Sequence, residues 1–145
     1  MKNKFIKFYL PAFVGLLALA VIPLASCTSS SSSSQPEYYN AGNADFSMTG
    51  TQFDQYELIS FDTSTSALTL ALPSAADIID NLSSPYVGEV LTLAVANEGT
   101  NTVTIIPGTN VTLSVSASTV APNTTLTLYA EFDNVTSGSE ETTIY

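Results

Sequence analysis

Apolar and polar residues alternate with a period of two through most of the chain after Tyr56. Three leucines in residues 68–72 alternate with a threonine and an alanine, and similar alternation recurs at 91–96, 111–115 and 126–132. Successive side chains of an extended strand point to opposite faces, so each segment has one apolar face and one polar face. The pattern therefore predicts half-buried antiparallel strands.

The connections between these strands are short. Proline, glycine and asparagine mark turns at residues 97–101, 107–110 and 121–123, where these residue types favour reversal of the chain. Residues 133–139 are predicted to form a loop that leads into a final edge strand at 141–145.

Only residues 73–82 predict a helix, because Ser74 stands at the N-cap position with Asp77 three residues later and apolar residues follow at helical spacing. Residues 38–55 have no clear period and predict an irregular lead-in with one short strand. Together these segments predict a mostly β protein, an antiparallel, jelly-roll-like β-sandwich of about seven or eight strands with one short helix.

The amino end has a different character. All three lysines of the chain lie within its first seven residues, and they precede an apolar run that ends in Leu24-Ala25-Ser26-Cys27. A basic segment, an apolar segment and small residues before a cleavage site describe a secretory signal peptide. A cysteine as the first mature residue resembles a bacterial lipoprotein, in which Cys27 would carry acyl chains such as palmitate.

This interpretation divides the chain into a signal peptide at 1–26, an acylated cysteine and serine-rich linker at 27–40, and a β-sandwich domain at 41–145. An uncleaved membrane-spanning helix at 8–26 is the alternative, although Pro11 and Pro23 weaken it. The absence of aspartate directly after the cysteine resembles lipoproteins of the outer membrane. The expected location is the bacterial cell envelope, at the outer membrane or the cell surface.

The charge distribution excludes two classes of partner. The sequence has thirteen Asp and Glu residues, no His, and no Lys or Arg after Lys7. Nucleic acid binding needs cations that neutralise phosphates, and anionic lipid headgroups would repel such a surface. The membrane is therefore expected to be a partner only through the lipid on Cys27.

The same composition leaves little scope for catalysis. A serine or threonine nucleophile would lack its usual base, and the only thiol lies at the predicted acylation site. A carboxylate pair such as Asp77 and Asp80, one helical turn apart, could hydrolyse a glycoside, but charges that complement a helix dipole explain the same residues. The sequence predicts a protein that is not an enzyme and has no cofactor.

Two weak candidate sites remain. Asp133, Asn134, Glu140 and Glu141 flank one loop and could supply oxygen ligands to calcium, although turn formation explains Asp and Asn equally well. Tyr129 is predicted to point outward from its strand, where an exposed tyrosine could contact a glycan, a protein or a second copy.

The later half of the chain carries a resemblance. Its residues 72–76, 87–97, 101–105, 108–113 and 132–145 resemble, in order and spacing, a small β-domain at the C-terminal ends of bacteriophage tail and giant-virus particle proteins. The resemblance spans residues 68–145 and includes no catalytic set. It implies a surface-displayed structural module that associates with itself.

Three functions are consistent with these observations. The first is a lipid-anchored envelope protein with a non-enzymatic β-module for adhesion, binding or self-association, including a trimer formed through threonine-rich strand edges that contain no lysine. The second is a phage-derived lipoprotein that masks a receptor on the host surface. The third is a carboxylate-dependent glycan hydrolase.

Overall fold

The computed structural model describes residues 37–145, which form ten strands, two α-helices and a 3₁₀ turn at Val115–Ala117. The elements in chain order are β1 (Glu37–Gly42), β2 (Phe46–Ser47), α1 (Gly50–Gln55), β3 (Tyr56–Phe61), β4 (Leu68–Ala71), α2 (Ala75–Ile79), β5 (Val90–Asn97), β6 (Val103–Ile106), β7 (Val111–Leu113), β8 (Thr119–Val120), β9 (Thr124–Asn134) and β10 (Glu141–Ile144). No helix among the described residues is long and apolar enough to cross a membrane.

The strands form two sheets. The six-stranded sheet has the order β1-β3-β5-β9-β10-β7, and the four-stranded sheet has the order β2-β4-β6-β8. Apolar side chains from both sheets are fully buried between them, among them Phe61, Leu70, Val103, Leu128 and Phe132. The predicted mostly β sandwich is confirmed.

The strand directions differ from the predicted antiparallel arrangement. Five of the eight strand pairings are parallel, namely β1–β3, β3–β5, β2–β4, β4–β6 and β7–β10. Only β5–β9, β9–β10 and β6–β8 are antiparallel. Alternating hydrophobicity shows that a strand has one buried face, and this is commonest in antiparallel sheets, but a parallel strand with one solvated face produces the same pattern.

Parallel pairing arises because the chain changes sheet after each of its first six strands. The order β1-β2-α1 is followed by β3-β4-α2 and then by β5-β6, so each turn of the chain adds one strand to each sheet. Two neighbours in one sheet are thus joined through a strand of the other sheet, which supplies the long crossover that parallel pairing requires. The turns differ in length, since β1 and β3 start 19 residues apart and β3 and β5 start 34 apart.

Helix α1 falls in the segment predicted to be irregular. Thr49 Oγ1 accepts the Gln52 N–H at 3.3 Å, and Gln52 Oε1 accepts the Thr49 N–H at 2.9 Å, which is a complete capping box. A helix of six residues that buries only Gly50 and Phe53 is too short to show an apolar period. The sequence indication of this helix was a threonine, Thr49, followed three residues later by a glutamine, Gln52, which is the spacing of a capping box.

Helix α2 confirms the predicted N-cap, because Ser74 Oγ accepts the Asp77 N–H at 3.1 Å and donates to Asp77 Oδ2 at 2.6 Å. The two helices stack, and Thr51 donates to Asn81 Oδ1 at 2.7 Å. A Cβ atom on Gly50 would overlap the Asp77 carbonyl, so this close approach requires glycine.

Two further boundaries differ from the sequence prediction. Strand β10 was predicted to be an edge strand. It lies instead between β9 and β7, because β7 pairs in parallel with the side of β10 that faces away from β9. Strand β1 begins at Glu37, so residues 37–40, assigned above to the linker, form part of the six-stranded sheet.

Candidate functional site

The side of the six-stranded sheet that faces away from the core presents one continuous surface, here called the outer face. Its central row crosses four strands, from Tyr38 on β1 through Leu58 and Ala94 to Thr127 on β9. The residues that alternate with these, such as Ile59, are buried in the core. Because side chains alternate between the two faces of a strand, this row lies on the face of the sheet that points away from the core.

The side chains in the middle of the outer face are small, so the surface there lies closer to the backbone of the sheet than at its sides. Ala94 and Ala96 of β5 are half-buried beside Leu58 of β3. Exposed threonines stand along β5 and β9, namely Thr92, Thr125 and Thr127. The result is a floor of apolar side chains edged by hydroxyl groups.

Tyrosines border this floor on both sides. Tyr38 is 53% exposed and Tyr129 is 49% exposed. They lie on β1 and β9, which are three inter-strand spacings apart, or about 14 Å. The part of the outer face between β1 and β9, here called the trough, is therefore shallow and has a tyrosine at each side. The predicted outward position of Tyr129 is confirmed.

Both tyrosines are held by neighbours. The Tyr38 hydroxyl lies 2.6 Å from Oγ of buried Ser60, which is two residues beyond the Tyr38 partner on β3, so the ring extends along the sheet. Tyr129 exchanges both backbone hydrogen bonds with Tyr145, at 3.2 and 3.1 Å. These two half-exposed tyrosines are therefore direct cross-strand neighbours.

Charge on the outer face lies at its two ends, with Glu98 beside the depression described below and two carboxylates at the opposite end. Glu131 and Asp133 lie further along β9, on the same side as Tyr129. Repulsion by the Glu131 carboxylate is the main cause that raises the pKa of Tyr145 above 10.0, followed by burial and by Asp133. The trough itself, from Tyr38 across to Tyr129, contains no carboxylate.

At its other end the trough meets an open depression of about 370 Å³. Ala96 and Thr125 line both features, so the two are continuous. The depression is completed by Asn97, Glu98, Asn123 and Thr124. Amide and hydroxyl groups thus extend the surface beyond the strands, and these groups can both donate and accept hydrogen bonds.

The predicted calcium ligands have other partners. Asp133 accepts the Thr143 hydroxyl at 2.6 Å, Asn134 Oδ1 accepts the Thr136 N–H at 2.9 Å, and buried Glu140 accepts the Gly138 N–H at 3.0 Å. Glu141 is exposed. Within residues 37–145 no three or more His, Cys, Asp or Glu side chains are placed to hold a metal ion. These residues close the β9–β10 loop.

The carboxylate pair considered for catalysis serves α2. The Asp77 carboxylate accepts the N-cap hydroxyl of Ser74, and Asp80 is the C-cap, whose N–H donates to the Ala76 carbonyl at 2.9 Å. Cys27 and the apolar run before it lie outside the described residues.

Comparison with known proteins identifies no family model, curated protein or solved structure that matches this chain. The resemblance to phage and giant-virus particle proteins stays a prediction. The outward position of Tyr129 followed from the sequence, whereas no strand position could be assigned to Tyr38, because the lead-in segment has no period that would reveal β1.

Proposed function

We propose that this protein is a lipid-anchored component of the bacterial envelope whose β-sandwich acts by binding rather than by catalysis. The acyl chains on Cys27 hold it at the membrane, and the serine-rich segment after Cys27 carries the domain away from the surface. Each buried methylene of an acyl chain contributes about 0.8 kcal/mol, so two or three chains make dissociation negligible.

One observation carries the binding role. The domain has thirteen carboxylates and no cation after Lys7, yet the trough between Tyr38 and Tyr129 has none of these charges. A neutral, tyrosine-bordered patch on an acidic protein is typical of a contact site.

The residue types that remain support a role without turnover. Serine and threonine side chains on this domain have no imidazole, amine or guanidinium partner anywhere after residue 7. Of the two carboxylates considered for acid–base chemistry, Asp77 accepts the Ser74 hydroxyl at the N-cap of α2.

Membrane fractionation tests the anchor and the exposure together. Wild-type protein should remain with the membrane after a high-salt wash, whereas Cys27→Ala should be released. Intact cells should lose the domain to proteinase K. Trypsin is unsuitable because the chain has no Lys or Arg after Lys7. Equal membrane retention of both variants, or turnover of a glycan by purified protein that is lost in Asp77→Asn, would refute the proposal.

A further inference from the structure

The geometry points to an uncharged polysaccharide as the ligand of the outer face. This inference rests on the binding function proposed above and adds the chemical class of the ligand. The trough lies between the rings of Tyr38 and Tyr129, with the alanines of β5 along its floor.

The size of the trough favours a narrow polymer over a second copy of the chain. Its width from β1 to β9 is about 14 Å and its length along residues 90–96 of β5 is about 20 Å, an area of about 280 Å². A stable protein–protein interface buries about 800 Å² on each partner. A second copy that contacted the trough alone would be held too weakly for a stable dimer or trimer.

The charge of the domain defines which polymer can approach. A polyanion, such as an acidic polysaccharide or a phosphate polymer, would meet thirteen carboxylates and no compensating cation. A cationic partner would be attracted most strongly to surfaces that carry carboxylates. The trough has no carboxylate between its two tyrosines. An uncharged ligand is the electrostatic complement of this surface.

The side chains match the two kinds of surface that a sugar presents. Sugar rings have apolar C–H faces and a rim of hydroxyl groups. The rings of Tyr38 and Tyr129 offer apolar faces for stacking, and the small Ala94 and Ala96 side chains allow close approach. Thr92, Thr125 and Thr127 add hydroxyls that both donate and accept.

An extended peptide fits this surface less well. Recognition of a peptide strand depends on the free backbone groups of a sheet edge. On β5, the central strand of the trough, these groups are paired with β3 on one side and with β9 on the other. The outer face therefore offers side chains alone.

Calorimetric titration of the full-length protein, in a detergent without a sugar headgroup, tests the ligand class. The probes are uncharged tetrasaccharides of β-glucan, α-glucan, mannan and N-acetylglucosamine, with tetragalacturonate as the anionic comparison and the glucosamine tetramer as the cationic one. At least one uncharged probe should bind, and the anionic probe should not. No binding by any uncharged probe, or tighter binding of a charged one, would overturn the inference.

Variants locate the site. Tyr38→Ala and Tyr129→Ala should each weaken binding about tenfold. Tyr86→Ala, which removes a more exposed tyrosine from a loop, should have no effect. Thr127→Asp places a carboxylate in the trough, and Thr104→Asp adds the same charge to the exposed side of the other sheet. Only the first should reduce affinity. Equal effects of the two aspartates would place the ligand elsewhere.

Failure of this inference is distinguishable from failure of the proposed function. If fractionation supports the lipid anchor and surface exposure while no uncharged probe binds, the ligand class is wrong and the contact role stands. If Cys27→Ala remains with the membrane while tetrasaccharide binding depends on Tyr129, the proposed lipid anchor is wrong and the proposed polysaccharide site is supported. Far-ultraviolet circular dichroism of each variant confirms that the sheets are intact.

Discussion

Replacement of Asn97 by alanine should destabilise the protein more than any surface substitution, because this buried side chain ties three loops together. Asn97 is 2% exposed. Its Nδ2 group lies 2.7 Å from the Asn101 carbonyl and 3.1 Å from those of Val120 and Ala121, and its Oδ1 accepts the Thr63 hydroxyl at 2.7 Å and the Gly99 N–H at 3.2 Å.

The expected loss of stability follows from the number of hydrogen bonds that one side-chain amide can make. A primary amide can make four hydrogen bonds, and a protein hydrogen bond has a net value of about 1 kcal/mol. Asn97→Ala should therefore lower the free energy of unfolding by about 4 kcal/mol. For a domain of this size that corresponds to a fall in Tm of about 15 °C.

Urea unfolding of the full-length protein, followed by near-ultraviolet circular dichroism of its tyrosines, measures this change. Asn43→Ala is the matched control, because Asn43 is exposed in the turn between β1 and β2, and its effect should stay within about 0.5 kcal/mol. A loss below about 1 kcal/mol for Asn97→Ala would show that the loops at this end are held by something other than the amide.

Three further results are expected. Thr142→Val should raise Tm by about 4 °C in thermal melts, because the buried Thr142 hydroxyl has no hydrogen-bond partner among residues 37–145; an unchanged Tm would contradict this. Glu131→Gln should lower the pKa of Tyr145 towards 10.0 in a tyrosinate absorbance titration, since Glu131 is the main cause that raises it. Hydrogen bonds from the side chain and then the backbone of Ser64 lower the pKa of Asp62 below 3.8, so this group stabilises the fold above that pH and the contribution is lost as pH falls through the lowered pKa. Ser64→Ala should therefore show a smaller acid-induced loss of stability than wild type between neutral pH and pH values below 3.8.

The alternating segments were predictable because burial of one strand face is a local property. Strands β4, β5, β7 and β9 all fall where apolar and polar residues alternate, and each depends only on neighbouring residues being two apart. Helix α2 was predictable for a similar reason, since Ser74 and Asp77 interact across a single turn. Strand β1 has six residues but its sequence does not alternate between apolar and polar side chains, and β2 and α1 are too short for a period to emerge.

The outer face could be predicted only in part. Tyr129 lies within a long alternating strand, so its outward position followed from the sequence. Its counterpart Tyr38 reaches the other margin of the trough only because β1 pairs with β3 and β3 with β5. The distance between these tyrosines is a property of strand order, which no local pattern contains.

Composition and the two-residue period act on each segment separately, so they are enough to show that this chain is a small acidic β protein without a cation after residue 7. The tertiary structure alone decided that the chain passes from sheet to sheet, so that most neighbouring strands run parallel and an uncharged surface forms across β1, β3, β5 and β9. The physical reason is that strand direction and order depend on the paths of the connections and on which faces bury one another, and these are contacts between residues far apart in the chain.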